Sequence, residues 1–167
     1  EFISKKSAEK FYGMLTDTEI DCDTLFMSGD SSIWERQKII EKLSKLKSVI
    51  LVATQVIEAG VDIDMDIGYK DCSKLDSEEQ FMGRINRSCK GEGIVYFFNL
   101  DSARMVYKDG DIRVDTEFTV MKTDMQEILR TKNFSDYYGE ILEIERNNKK
   151  SENENNIVHF FKKEVGQ

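Results

Sequence analysis

Proline does not occur in this chain, histidine and tryptophan occur once each, and cysteine occurs three times. A lone histidine, His159, cannot build the histidine-aspartate cluster of a metal-dependent nuclease. Cys22, Cys72 and Cys89 are odd in number and widely spaced, which fits neither a disulfide framework nor a CxxC metal site. Reduced thiols and no bound metal are therefore expected. No apolar run approaches the roughly 20 residues that cross a bilayer. The opening Glu1-Phe2-Ile3-Ser4-Lys5-Lys6 lacks the basic-then-apolar layout of a signal peptide. A cytoplasmic protein with no membrane contact is the expectation, and a start without Met that runs straight into a helix suggests a piece of a longer polypeptide. No Gly-x-x-x-x-Gly-Lys-Ser/Thr loop and no acidic metal-binding box is present, so the chain has no phosphate cradle of its own.

What is present suits an ordinary globular fold. The 167 residues are 40% hydrophobic with ten Phe, enough for one sizeable core. Acidic residues outnumber basic ones 32 to 24, for a net charge of −8. The chain as a whole is repelled by phosphate backbones, so any contact with nucleic acid has to be local.

Ala8, Phe11, Tyr12 and Leu15 recur at helical spacing and predict an amphipathic helix from Ser4 to Leu15. Thr24 to Met27 reads as a short strand, closed by Ser28-Gly29-Asp30. Ser32 and Glu35 then form a capping-box pattern for a helix to about Ser44. The β-branched run Ser48 to Thr54 predicts a central strand of a parallel sheet covered on both faces. Met65 to Tyr69 reads as a weaker strand, and Gly93 to Phe98 as another buried one. Asp76 to Asn86 reads as a helix, with Asp76 and Glu79 at capping-box spacing. This alternation argues an α/β sheet. Beyond Asp101 the sequence predicts a turn at Lys108 to Asp111 and two charged helices, Glu117 to Arg130 and Phe134 to Arg146. A polar stretch, Lys149 to Asn156, and a short apolar group, Ile157, Val158, Phe160 and Phe161, close the chain.

Two segments carry candidate chemistry. A continuous helix from Asp76 places Gln80, Arg84 and Arg87 on one face, beside the bare spot of Gly83. Alone, that pattern is read as a solvated polar face. The other segment, Ala53 to Asp62, leaves the carboxyl end of the central strand, where ligands gather in open α/β sheets. Thr54 offers a hydroxyl and the loop offers amides to a phosphate oxygen. Gly60 permits a backbone shape that a side chain forbids, and Asp62 can accept hydrogen bonds from a ribose or an arginine. Each of these alone is an ordinary turn residue.

Taken in order, Val52-Ala53-Thr54-Gln55-Val56-Ile57-Glu58-Ala59-Gly60-Val61-Asp62-Ile63-Asp64 and Gln80-Phe81-Met82-Gly83-Arg84-Ile85-Asn86-Arg87 closely resemble motifs V and VI of superfamily 2 helicases. The wording is similar to the CRISPR-associated type I helicase in particular. The resemblance is strongest over Leu51 to Arg87 and weaker from Ser4 to Ser44, where Ser28 and Arg36 lie in a region like motif IV. It implies a RecA-like open, mainly parallel sheet flanked by helices over residues 1–102, the second motor domain of a helicase. Residues 103–167 would then be a linker and helical appendage leading to a further C-terminal region. The resemblance implies ATP with Mg²⁺ as cofactor, bound mainly by a first RecA-like domain of the same protein, with single-stranded DNA and a CRISPR surveillance complex as further partners. It implies that Arg87, with Arg84, acts as an arginine finger on that ATP, and that Gln80 orients the phosphates or a water. Gly60, Asp62 and Gly83 would serve the nucleotide side, and Thr54 with Gln55 would grip a DNA phosphate. One departure is that Cys72-Ser73-Lys74-Leu75 stands where the family usually has a proline, which predicts a differently shaped loop.

Two other readings remain open at this level: a motor domain of another superfamily 2 DNA or RNA helicase, and a non-catalytic binding module that docks its arginine face on an acidic surface. Without its own cradle the segment by itself is expected to be inactive as an ATP hydrolase. Trp34 reads as a core residue of its helix, His159 as packing, Lys5, Lys6 and Lys10 as a solvated face, and Cys89 as a bystander.

Overall fold

The computed structural model describes residues 1–107, 111 and 114–148. The element order is α1 (Lys5–Thr16), β1 (Asp23–Met27), α2 (Ile33–Leu43), β2 (Val49–Ala53), a short 3₁₀ turn (Gln55–Ile57), β3 (Ile67–Asp71), α3 (Leu75–Met82) and β4 (Ile94–Phe98). A 3₁₀ turn (Thr116–Phe118), α4 (Thr123–Thr131) and α5 (residues 135–148) follow. The helix starts are set by local chemistry. Ser4 caps α1 by accepting from Ser7 N–H, and Ser32 and Glu35 form a reciprocal capping box on α2.

β1 pairs with β2 in parallel, Leu25 opposite Leu51, and β3 pairs with β4 in parallel, Tyr69 opposite Tyr96. The α/β class expected from the sequence is present. The continuous open sheet is not: the four strands form two separate pairs. Between them runs the opening tripeptide. Phe2 N–H donates to Ala53 C=O at 2.9 Å on the β2 side, and Asp71 N–H donates to Glu1 C=O at 2.9 Å on the β3 side.

Helices cover both faces of the β1–β2 pair. On one face Ala8, Tyr12 and Leu15 of α1 pack on Phe2, Phe26, Ile50 and Val52. On the other, Ile39, Ile40 and Leu43 of α2 join Phe81 of α3 against Met27, Leu51 and Ala53. Full burial of side chains such as Leu75 or Phe81 contributes about 1.5–3 kcal/mol each. A third cluster joins the region after Asp101 to α3: Leu75 and Cys72 pack with Phe118, Val120, Met125, Leu129, Tyr137 and Ile141. Tyr137 Oη also donates to Asp76 at 2.7 Å, and burial together with that carboxylate pushes the phenol upward.

Several sequence expectations need correction here. α3 stops at Met82 with Gly83 as its C-cap, so Gln80, Arg84 and Arg87 do not share one helical face. The cause is tertiary: Met65 N–H donates to Arg84 C=O at 3.0 Å and Asn86 N–H to Met65 C=O at 2.7 Å, a parallel bridge that pulls Ile85 out of the helix. The Asp76–Glu79 capping box does not form either. Lys74 is the N-cap without a side-chain bond, and Asp76 and Glu79 turn instead to Tyr137 and Lys132. The helix expected from Glu117 to Arg130 divides into a 3₁₀ turn and α4, because Val120 N–H is taken by the buried Glu78 carboxylate at 3.2 Å. Trp34 is likewise no core residue: it is 63% exposed, with Lys38 Nζ 3.4 Å from its ring centroid. The other predicted elements lie where expected to within a few residues, but β4, expected to be buried, leaves Ile94 and Tyr96 exposed. Cys22, Cys72 and Cys89 are all free thiols. The turn at Lys108 to Gly110, the polar stretch from Lys149 and the apolar group with His159 lie outside the described residues.

Candidate functional site

The loop that leaves β2 and the turn that leaves α3 meet. The Met65–Ile85 bridge sets the two chains side by side, and the carboxylates that follow Gly60 then reach the turn. Asp64 Oδ1 accepts Arg87 N–H at 2.7 Å and Oδ2 accepts Ser88 N–H at 3.2 Å. The Asp64 carboxyl is held below its ordinary range, first by the Ser88 side chain and then by these backbone bonds. The Arg87 guanidinium pairs with the Asp62 carboxylate, and both side chains are open to water.

The turn itself is built for this. Asn86 sits at φ 46°, in the left-handed region that asparagine tolerates. Its side chain clamps Gly91 from both sides, Nδ2 donating to the Gly91 carbonyl at 2.6 Å and Oδ1 accepting the Gly91 N–H at 3.2 Å. Across the contact, Gly60 has φ 73° with open space beside its Cα, so backbone conformation rather than crowding calls for glycine there.

The sequence-predicted residues divide by exposure. Arg87, Asp62, Gly60, Gly83 and Gln80 lie at the surface. Arg84 is half-buried: one terminal nitrogen donates to the Glu58 carbonyl at 2.5 Å, and its Nε has no hydrogen-bond partner among the described residues. Thr54 is buried at the end of β2, its N–H donating to Met27 C=O at 3.1 Å. Gln55 spends its side-chain amide on the Ile3 carbonyl at 3.3 Å. After β1, the Arg36 guanidinium braces the Ser28–Ser31 loop, donating to Ser31 C=O at 2.9 Å and Gly29 C=O at 3.0 Å.

Sequence reasoning missed the polar cluster beneath this surface. Lys70, fully buried, lies between the carboxylates of Glu1 and Glu58, with Glu58 at 2.9 Å and Glu1 in direct contact. Burial works to lower the Lys70 ammonium, yet the two carboxylates hold it above its ordinary value. Burial pushes Glu1 up to about 7 in spite of Lys70. Glu58 also accepts the Ser77 hydroxyl while its carbonyl takes Arg84, so one residue ties the loop to both α3 and the turn. The signal that could have found it is the odd Lys70 in an otherwise strand-like Ile67–Asp71, since a lysine inside a parallel strand has to meet an acid.

Parallel strand pairs packed with helices, with polar and charged loop residues beyond the strand ends, define a mixed α/β domain. The model of the family described as CRISPR-associated nuclease/helicase Cas3, C-terminal, matches residues 5–90, from α1 through the turn that carries Arg87. The chain belongs to this Cas3-like C-terminal family and is part of a CRISPR-associated helicase-nuclease. No curated protein matches the chain. Among the described residues no helix is long and apolar enough to cross a membrane.

Proposed function

We propose that this domain is the second motor half of an ATP-dependent translocase that moves on single-stranded DNA during CRISPR interference. The observation that carries the reading is the anchored, exposed Arg87. Its backbone is fixed by Asp64, and among the described residues its guanidinium is restrained by one solvent-facing carboxylate, Asp62. A planar, permanently charged group held in this way suits a phosphate presented by a facing domain.

The residues present fit one side of a nucleotide site and do not form a cradle. Bound ATP with Mg²⁺ would supply the phosphoryl group to be transferred and positive charge to offset that of its phosphates, with Arg87, Arg84 and Gln80 meeting it from this side. Arg87 would leave Asp62 to neutralise charge on the outermost phosphate. Arg84, with its unpartnered Nε, would steady the Glu58 loop or turn toward the same charge. Gln80 stands exposed on the last turn of α3 and would orient the phosphates or a water. Gly60 would supply the left-handed bend that carries the loop to Asp62, Gly83 would end α3 on the nucleotide side, and Asp62 would report the state of the arginine to the loop. Thr54 and Gln55, where that loop leaves β2, are assigned the DNA phosphate contact, with Gln55 exchanging Ile3 for a phosphate oxygen. The partners on this reading are the first RecA-like domain of the same protein, single-stranded DNA and a surveillance complex that opens the target, in the cytoplasm.

The test is DNA-stimulated ATP hydrolysis by the full helicase-nuclease. Arg87→Ala is expected to lower it at least a hundredfold while circular dichroism and the unfolding midpoint stay unchanged. Unchanged hydrolysis removes the finger assignment. A parent protein that never hydrolyses ATP favours a domain that only docks on an acidic surface.

A further inference from the structure

Ile33 and Trp34 open α2 with both side chains in water, 78% and 63% exposed, and neither joins a hydrophobic cluster. Beside them the charge of the chain reverses. From Arg36 to Lys47 five basic residues meet one acid, Glu41, in a chain whose net charge is −8. Lys38, Lys42, Lys45 and Lys47 are exposed, and among the described residues none of them pairs with a carboxylate, unlike Lys5, Lys122 and Arg130. Trp34, Lys38 and Lys42 stand at i, i+4 and i+8 along one face of α2, about 12 Å at ~1.5 Å per residue, with Glu41 alongside and Lys45 in the turn that follows.

This face begins at a fixed place. The first turn of α2 follows the carboxyl end of β1, where Met27 C=O takes the N–H of Thr54. The intervening loop is braced by Arg36 through the Ser31 and Gly29 carbonyls. Glu35, the acid of that first turn, is turned back on the cap and accepts the Ser32 N–H at 2.7 Å. An aromatic ring in water and a line of unpaired ammonium groups are thus presented together on a rigid edge.

We propose that Trp34 is a base-stacking site for single-stranded DNA, with Lys38 and Lys42 taking the phosphates beside the stacked base. An aromatic face combined with a basic track is the combination that holds unpaired bases. Lys38 Nζ now stands 3.4 Å from the ring centroid. The hold of an exposed ammonium on a ring is weaker than the stacking of a base, so the base replaces Lys38 over the indole and the ammonium moves to the adjoining phosphate. A protein partner suits the surface less well. Its apolar part is two side chains, far short of the roughly 800 Å² that each side of a stable protein interface buries, whereas one base needs one ring. Every base has a π face, so the site is indifferent to sequence. That the strand is DNA rests on the translocase reading; the stacking itself requires only unpaired bases and involves neither ATP nor Arg87.

The test is binding of a labelled short oligothymidylate to the chain at low salt, followed by anisotropy, beside an oligomer with the same phosphates and no bases. Trp34→Ala is expected to weaken binding of the oligothymidylate about tenfold, and Trp34→Phe to restore most of the loss, with neither change altering binding of the base-free oligomer. Lys42→Gln is expected to reduce the slope of log Kd against log salt by about 0.7 for both oligomers. The unfolding midpoint, which a change at an exposed side chain leaves in place, separates loss of contact from loss of fold. Unchanged affinity in Trp34→Ala overturns the proposal, as does an equal loss on the base-free oligomer, equal affinity for a duplex of the same length, or no binding by the unaltered chain. Hydrolysis by Arg87→Ala in the full helicase-nuclease is a separate measurement, so either reading can fail while the other stands.

Discussion

Asp64 receives the backbone N–H groups of Arg87 and Ser88 on its two carboxylate oxygens, so a loop after one strand holds a turn after a helix. The pair of bonds fixes where the Arg87 Cα stands, leaving its side chain free to exchange partners. Asp64→Asn replaces one acceptor by a donor and should release the turn. Amide exchange at Arg87 and Ser88 is expected to quicken roughly tenfold, read by NMR on this chain. In the full protein, hydrolysis is expected to fall by kcat about tenfold with little change in the KM for ATP, because a positioning residue and not a contact is lost. Loss of KM alone would instead make Asp64 part of the binding surface.

Glu78 gives the domain a pH-dependent stability. Its buried carboxylate accepts Ser73 N–H at 3.1 Å and Val120 N–H at 3.2 Å, and burial still pushes it up to about 8. A folded value above the ordinary 4.5 means that the folded state binds more protons than the unfolded chain between pH ~4.5 and ~8. Stability from this group is present at the acid end and declines as pH rises through that window, on the order of 4 kcal/mol across it. Urea unfolding at pH 5.5 and 8.5 should show the decline, and Glu78→Gln should flatten the difference between the two pH values. The glutamine is less stable at pH 5.5, since one of its two ends can no longer accept an N–H.

Lys70 tests whether the buried charge cluster is held by its centre. Lys70→Met leaves Glu1 and Glu58 facing each other without a cation and is expected to destabilise by about 3–5 kcal/mol in urea unfolding at pH 7. Adding Glu58→Gln to Lys70→Met should recover part of that loss, because the double variant removes a stranded charge. If the single variant unfolds with the parent, the ammonium contributes nothing net to the fold.

What could be read from the sequence was what depends on near neighbours in the chain. Ser4 and the Ser32–Glu35 box mark helix starts because their bonds span three residues. The β-branched run to Ala53 marks a strand because its period is its own. The end of α3 was not legible, since residues 20 positions away pull Ile85 out of the helix through Met65. Nor was the burial of Lys70 and Glu78, charged residues whose partners are distant in sequence and whose type ordinarily signals solvent. At the candidate site, the sequence anticipated that Asp62 could take an arginine, and the structure pairs it with Arg87. It gave no sign that Arg84 would be drawn inward to Glu58 while Arg87 stays out, because both arginines had been placed on one regular helix.

The exposure of Trp34 has a consequence for how this domain can be watched. The only indole in the chain sits in water on α2 under the Lys38 ammonium, not in the core. Its fluorescence will resemble that of a hydrated indole whether the chain is folded or not, and unfolding will pass almost unseen in that channel. The buried phenol of Tyr137, inside the aromatic group with Phe118 and Phe134, is the chromophore whose surroundings vanish when the fold is lost. The same exposure turns Trp34 into a reporter of a different event, since any surface that covers α2 will shift its emission to the blue while leaving Tyr137 silent.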